Sequence, residues 1–288
     1  MPPSSYHNIA LVLKSEWVRF EEVQQAAAVI QQQIQSPEFL QWPGTKPGQV
    51  TAFTKDSKIP DDAAPVYIQD KIERKGLSGF HVTTTNQMPY AHVQSDGNWS
   101  ITASHEILEL LVDPTGNKTL PAPSLEDPNV NVDYLVEVCD PVNNPVNAIS
   151  VGLIGVSDFY LPSYFDPVAV SGKQYSANKR LTAPRQILEG GYVVFRDANG
   201  QWFEADQQVD GAPPEISAIS LPDFNGSLRE KVDFLTRARM RRKRIKASPK
   251  PQRTPRVKKI SAARLKEYRE HQRAFEIMIR KYKAKRKK

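Results

Sequence analysis

The sequence is poor in cysteine: Cys139 is the single one in 288 residues. That excludes an intrachain disulfide framework and zinc sites built from several thiolates. Long apolar runs are missing too. None approaches the roughly 20 residues of a membrane span, so no transmembrane segment is expected. The N-terminal stretch MPPSSYHNIALVLKSEW has no basic segment ahead of its short apolar run. No signal peptide is therefore expected, and a cytoplasmic location follows as the expectation. Hydrophobic residues make up only 39% of the chain, which predicts that part of it does not join a packed core. No internal repeat, P-loop, zinc finger or RNA-recognition signature is visible.

Charge is unevenly spread. Residues 237–288 carry 23 Lys and Arg against 3 acidic residues, whereas residues 1–236 carry 16 basic and 29 acidic residues. The net charge of +7 thus joins an acidic body to a basic tail. Within the body, Ile9–Leu13 is strand-like. From about Glu16 to Gln35, Trp17, Phe20, Val23, Ala27, Ile30 and Ile34 recur at steps of three and four, one face of a helix. Short β-prone runs follow at 50–54, 66–69, 80–84 and 90–94, separated by turn residues. Residues 101–112 read as a buried helix stopped by Pro114 and Gly116, with Ser100 or Thr102 as its cap. A Pro-rich loop spans 114–129. Strands resume at 134–139, 149–154, 191–195 and 201–205, the last two joined by a hairpin turn at Asn199-Gly200. The fold class expected is α/β (α+β): a mixed sheet with a long backing helix and a second helix bearing the site. The body is expected to span 1–210, with a linker over 211–236, a Pro-punctuated basic segment over 237–260 and a cationic amphipathic helix over 261–288.

Ser104-His105-Glu106-Ile-Leu-Glu109-Leu-Leu-Val-Asp113 carries the chemistry. Residues four apart share a helix face, so His105 and Glu109 can aim an imidazole and a carboxylate at one point. Both suit zinc. Glu106, about 100° around the helix, could take a proton from a water held there, the general base of metal-assisted hydrolysis. The remaining positions are aliphatic, and three ionisable groups in so apolar a helix need partners. A third ligand is not placed by spacing. Asp113 lies one turn further along the same face, and Glu137 and Asp140 come from the next strand. A site of one His and several carboxylates also suits Mn²⁺, Fe²⁺ or Ca²⁺. The alternative is a buried polar network in which His105, Glu109 and a later Asp satisfy one another without metal. His81 and His92 sit on strands and read as ordinary sheet residues, Cys139 as a small buried hydrophobe, and Asp158 and Asp166 as turn residues. Tyr160 or Tyr164 could stabilise an oxyanion beside a metal.

The 105–109 segment resembles the active-site helix of the zincin metallopeptidases, whose pattern is His-Glu-x-x-His, with Glu109 in place of the second His. The resemblance extends to the element order: strand, long helix, short strands, an edge strand that holds substrate (here 90–94), then the site helix. A second similarity, over roughly 50–205, is to uncharacterised bacterial proteins that share Ser-His-Glu-x-Leu-Glu, Asp-Pro, Glu-Val-Cys-Asp-Pro and Ser-Asp-Phe-Tyr. These motifs are Ser104–Glu109, Asp113-Pro114, Glu137–Pro141 and Ser157–Tyr160 here. The resemblance implies a zincin-like scaffold, a divalent metal (zinc first), a peptide substrate and a metal-dependent hydrolase. The competing expectation is a non-catalytic binding or structural protein on the same scaffold.

The tail points to polyanions. Arg241, Arg242, Lys243, Arg244, Lys246, Lys258 and Lys259 would contact nucleic-acid phosphates without reading sequence. An anionic membrane face is the second partner such a tail suits.

Overall fold

The structure, a computed structural model, describes residues 7–74, 77–83 and 88–235. The basic segment 237–260 and the helix expected over 261–288 lie outside the described residues. The chain runs β1 (Asn8–Leu13), α1 (Phe20–Ile34), β2 (Val50–Thr54), β3 (Ala63–Gln69), β4 (Gly79–Thr83), β5 (Pro89–Gln94) and α2 (Trp99–Val112). It continues with β6 (Thr119–Pro123), β7 (Asn131–Leu135), β8 (Ile149–Val151), β9 (Ile154–Val156), β10 (Tyr192–Arg196), β11 (Trp202–Asp206) and β12 (Glu215–Ile219). A last helix, α3, covers 228–235. The class is mixed α+β, as expected. No described helix is long and apolar enough to cross a membrane.

The first sheet has the order β2-β1-β3-β5-β4. β1, β2, β3 and β5 run parallel, and β4 is antiparallel to β5 at the edge. Period-two alternation sorts the side chains of β1: Ile9 and Leu11 enter the main core, Ala10 and Val12 a smaller cluster on the opposite face. Both faces of this central strand are therefore buried, which explains its unbroken apolar run. α1 lays Val23, Ala26, Ala27, Ile30 and Ile34 into the main core, and α2 contributes Ala103, Ile107, Leu108 and Leu110. A buried polar triangle ties the two helices to the strand behind them. Ser104 donates to Gln33 Oε1 (2.9 Å), Gln33 Nε2 to the Ser157 carbonyl (2.6 Å), and the Ser157 N–H to Ser104 Oγ (2.8 Å).

The second sheet is antiparallel, in the order β12-β11-β10-β7-β6. β10 and β11 form the expected hairpin, and Gly200 supplies the positive φ of its turn, +85°.

Several boundaries differ from the sequence reading. α1 starts at Phe20, capped by the Glu22 carboxylate on the Arg19 N–H, and Trp17 is 70% exposed rather than on the apolar face. Ser15, bonded to Asp70, takes the Trp17 N–H and turns the chain there. The edge strand beside α2 is β4, whereas 90–94 is the interior strand β5. β6 lies inside the stretch read as a Pro-rich loop; it is an edge strand, where a proline costs no ladder bond. The described part of the expected 211–236 linker, residues 211–235, is not a linker. β12 pairs along its whole length with β11, and Val232 of α3 joins Leu135, Val194 and Ile219 in a satellite core. The prolines and aspartates of 207–225 conceal the apolar positions Ile216, Ile219, Leu228 and Val232.

Candidate metal centre

α2 is buried from Ala103 to Val112, polar residues included. It lies against β3, β4, β5 and β9, so it has no solvent face onto which an ionisable group could turn. His105, Glu106 and Glu109 each need a partner inside the protein, and each has one.

His105 Nε2 stands 3.1 Å from Glu109 Oε2, the helix neighbour expected from the spacing, and 3.4 Å from Asp140 Oδ1. Glu106 turns the other way. Its Oε2 lies 3.1 Å from His81 Nδ1 on β4, and the same nitrogen is 3.9 Å from Glu109 Oε2. Gly79 on β4 makes room for this: a Cβ there would stand 2.7 Å from Glu106 Oε1. Glu109 Oε1 accepts the Cys139 N–H at 3.2 Å, which ties α2 to the segment that leaves β7. Cys139 is fully buried with its sulfur 3.8 Å from the His105 carbonyl oxygen, and burial pushes its thiol pKa well up.

The remaining charged groups arrive from the region read as linker. Arg229, at the start of α3, is 5% exposed. Its guanidinium meets Asp140 (2.5 Å), Asp233 (3.1 Å), Glu137 (3.5 Å) and Glu109 (3.8 Å). Arg74 pairs with Asp233 (3.1 Å) and Glu230 (3.3 Å) at the rim.

Electrostatics follow from burial and proximity. Burial works against a charged His105, but Glu109 and the Asp140 carboxylate 3.4 Å away overcome it and hold its pKa well above the usual histidine value. His81 is raised in the same way: burial opposes, and Glu106 and Glu109 prevail. Burial alone would raise Glu109, yet His105 and Arg229 hold it below the usual carboxylate range. Glu137 goes up, because burial outweighs its attraction to Arg229.

Of the residues singled out in the sequence, the fold gathers His105, Glu109, Glu137 and Asp140 in one buried cluster. Asp113 is elsewhere: its carboxylate accepts from the Lys118 N–H (2.6 Å) and Thr115 Oγ1 (3.1 Å) and serves the turn after α2. Asp158 accepts from the N–H groups of Phe159 and Asn178, the turn role expected of it. Tyr160 and Tyr164 stack at 4.2 Å in the core, where burial drives both pKa values well up. The basic tail residues Arg241 to Lys246, Lys258 and Lys259 lie outside the described residues.

The sequence reading missed the roles of His81 and Arg229, and with them Asp233 and Arg74, which pair around Arg229. His81 carried a signal, a histidine on a strand just before the site helix, but nothing in its own segment links it to Glu106. Arg229 sits in a short stretch with no pattern of its own.

Two sets of three donors lie within 4.8 Å of one another: His105, Glu109 and Cys139, and His81, Glu109 and Glu137. Glu109 belongs to both. Among the described residues, unsatisfied acceptors outnumber unsatisfied donors here: Glu109 Oε2, both oxygens of Glu137 and Asp140 Oδ1 make no well-formed hydrogen bond, and nor do the nitrogens His81 Nε2 and Arg229 Nε. Native interiors rarely leave such atoms unsatisfied, and a bound ion is one of the few remedies. The 3.1 and 3.4 Å separations around His105 Nε2 are ion-pair lengths, close to the roughly 3.3–3.6 Å edges of a tetrahedron whose donors lie about 2.0–2.2 Å from zinc. The donor set therefore fits a divalent cation.

Compared with known proteins, the chain matches no family model, no curated protein and no solved structure. What is established at the site is a group of buried His, Glu and Cys side chains close enough to hold a metal.

Proposed function

We propose that the protein is a metal-dependent hydrolase of the metallopeptidase type, with a divalent cation, zinc first, held at Glu109. The observation that carries the reading is the surplus of buried acceptors around Glu109 Oε2: four carboxylate oxygens there make no well-formed hydrogen bond, even with His105 Nε2 3.1 Å from Glu109 Oε2. His105, Asp140, His81 and Glu137 surround the same carboxylate. The element order adds support, since a strand, a long helix, short strands that include the edge strand β4, and the site helix follow one another, as in the zincins it resembles. A bound cation would supply Lewis acidity and a polarised water. Glu106 is the group to take the proton, and His81, 3.1 Å from it, orients its carboxylate. Residues 237–288 add a polyanion-binding arm, nucleic acid first, through their excess of Lys and Arg.

A second reading, a non-catalytic binding or structural protein, is favoured by one observation. Every ionisable member of the cluster around Glu109 is buried, and Arg229 closes it. Metal analysis separates the two. The hydrolase reading expects zinc to co-purify, His105→Ala to lose it, and Glu106→Gln to keep zinc while losing zinc-dependent cleavage of a peptide library. A protein that takes up no divalent cation under any loading condition is the scaffold.

A further inference from the structure

We infer that Arg229 takes the place of a second cation at the carboxylate cluster, and so fixes the centre at one divalent ion per chain. The inference rests on the metal-centre reading above and concerns what sets its stoichiometry.

The two donor sets share Glu109, an arrangement in which one carboxylate can serve two neighbouring cation positions. In two-metal hydrolytic sites such positions lie about 3.5–4 Å apart. The positions are not equivalent here. In the set of His105 and Cys139, His105 stands one helical turn from Glu109 on α2, and no ion pair or hydrogen bond among the described residues joins Arg229 to His105 or Cys139. The set of His81 and Glu137 includes the carboxylate that Arg229 contacts at 3.5 Å, and Arg229 also stands 3.8 Å from Glu109 Oε2. With Asp140 and Asp233, four carboxylates surround the guanidinium. That is the oxygen-rich shell a hard divalent ion would otherwise gather. A guanidinium does not lose its proton, so the charge is permanent and needs no loading.

The surrounding structure holds this arginine in place. The Arg229 N–H donates to the Gly116 carbonyl (2.9 Å) and the Leu228 N–H to Asn117 Oδ1 (2.9 Å), which anchors α3 to the loop after α2. One turn on, Val232 is fully buried in the satellite core and Asp233 is shared between Arg229 and Arg74. Yet the side chain leaves Glu137 without a hydrogen bond on either oxygen. One guanidinium balances charge without satisfying every acceptor, as expected of a stand-in for an ion. Without it, buried carboxylates would lack a counter-charge, a condition a protein relieves by taking up protons, by unfolding or by binding a cation.

The test is zinc stoichiometry of the full chain, measured by elemental analysis after loading and dialysis, with folding followed by circular dichroism. Wild type is expected to hold one zinc, Arg229→Lys one, and Arg229→Gln two. If Arg229→Gln unfolds without metal, zinc should restore the native spectrum, with recovery complete only at the second equivalent. One zinc or none in folded Arg229→Gln beside one in wild type overturns the inference and leaves the metal centre standing. So does an Arg229→Gln chain that no zinc concentration refolds. A wild type that takes no zinc removes the metal centre itself.

Discussion

Zinc uptake at this centre should be coupled to the release of two protons, and its affinity should fall steeply in mild acid. Without metal, His105 is held as imidazolium by Glu109 and Asp140 against the effect of burial, and burial holds the Cys139 thiol well above the usual thiol range. An ion in the donor set of His105, Glu109 and Cys139 takes a neutral imidazole and a thiolate, so it displaces two protons. Where both groups are protonated, each displaced proton weakens binding tenfold per pH unit. Two give about 100-fold, or roughly 2.7 kcal/mol per unit. The sign for the metal-free protein is opposite. A raised histidine pKa contributes stability that is complete below about 6.5 and is lost as pH rises through the folded value. Metal-free protein should therefore lose stability on the alkaline side while zinc affinity climbs. Titration calorimetry of zinc in buffers of different ionisation enthalpy, between pH 5.5 and 7, reads the proton count directly. A count near zero, or an affinity flat across that range, would refute the proton accounting.

Other outcomes follow from the same geometry. Glu109→Ala removes the carboxylate common to both donor sets and leaves Arg229 and His105 short of a counter-charge; urea unfolding of the metal-free protein should show a loss of about 3–5 kcal/mol. Gly200→Ala forces a side chain into a positive-φ turn and should cost about 1–2 kcal/mol, read as a lower midpoint in the same experiment. A chain ending at 235 should melt cooperatively. One ending at 210 loses β12, Val232 and Arg229 and should have no cooperative thermal transition. The chain ending at 235 should also lose affinity for nucleic acid, and full-length binding should weaken steeply with salt and be indifferent to base sequence; equal binding by both chains would contradict it.

The parts of the fold legible in the sequence are those where pattern and environment coincide. From Ala103 on, α2 is mostly apolar, so composition alone marked it as buried and its three ionisable residues, His105, Glu106 and Glu109, as exceptional. The pairing of β10 with β11 announced itself through Asn199-Gly200 between two alternating runs. Other parts are set by contacts that no local pattern records. Trp17 is spaced as though it belonged to α1, but Ser15 and Asp70 stop the helix short of it. β6 is rich in proline because its edge position asks for no ladder bond on one side. The loss was greatest at the centre itself. Half of the cluster was visible on one helix, whereas His81 and Arg229 reach it from segments far away in sequence. Asp113, placed correctly by helical arithmetic one turn beyond Glu109, is drawn off by the Lys118 N–H because the helix has already ended.

The burial of Cys139 has a practical consequence. The only sulfhydryl in the chain is sealed against α2, with its ionisation suppressed, so alkylating or oxidising reagents cannot reach a reactive thiolate while the structure is closed. Labelling must wait for the packing between α2 and the segment after β7 to open. The modification rate is then a clock on that opening, and it needs no engineered probe. Because the sulfur rests beside the backbone of His105, the clock reports from the same helix that carries the cluster. Any ion that ties His105 to Glu109 should slow it.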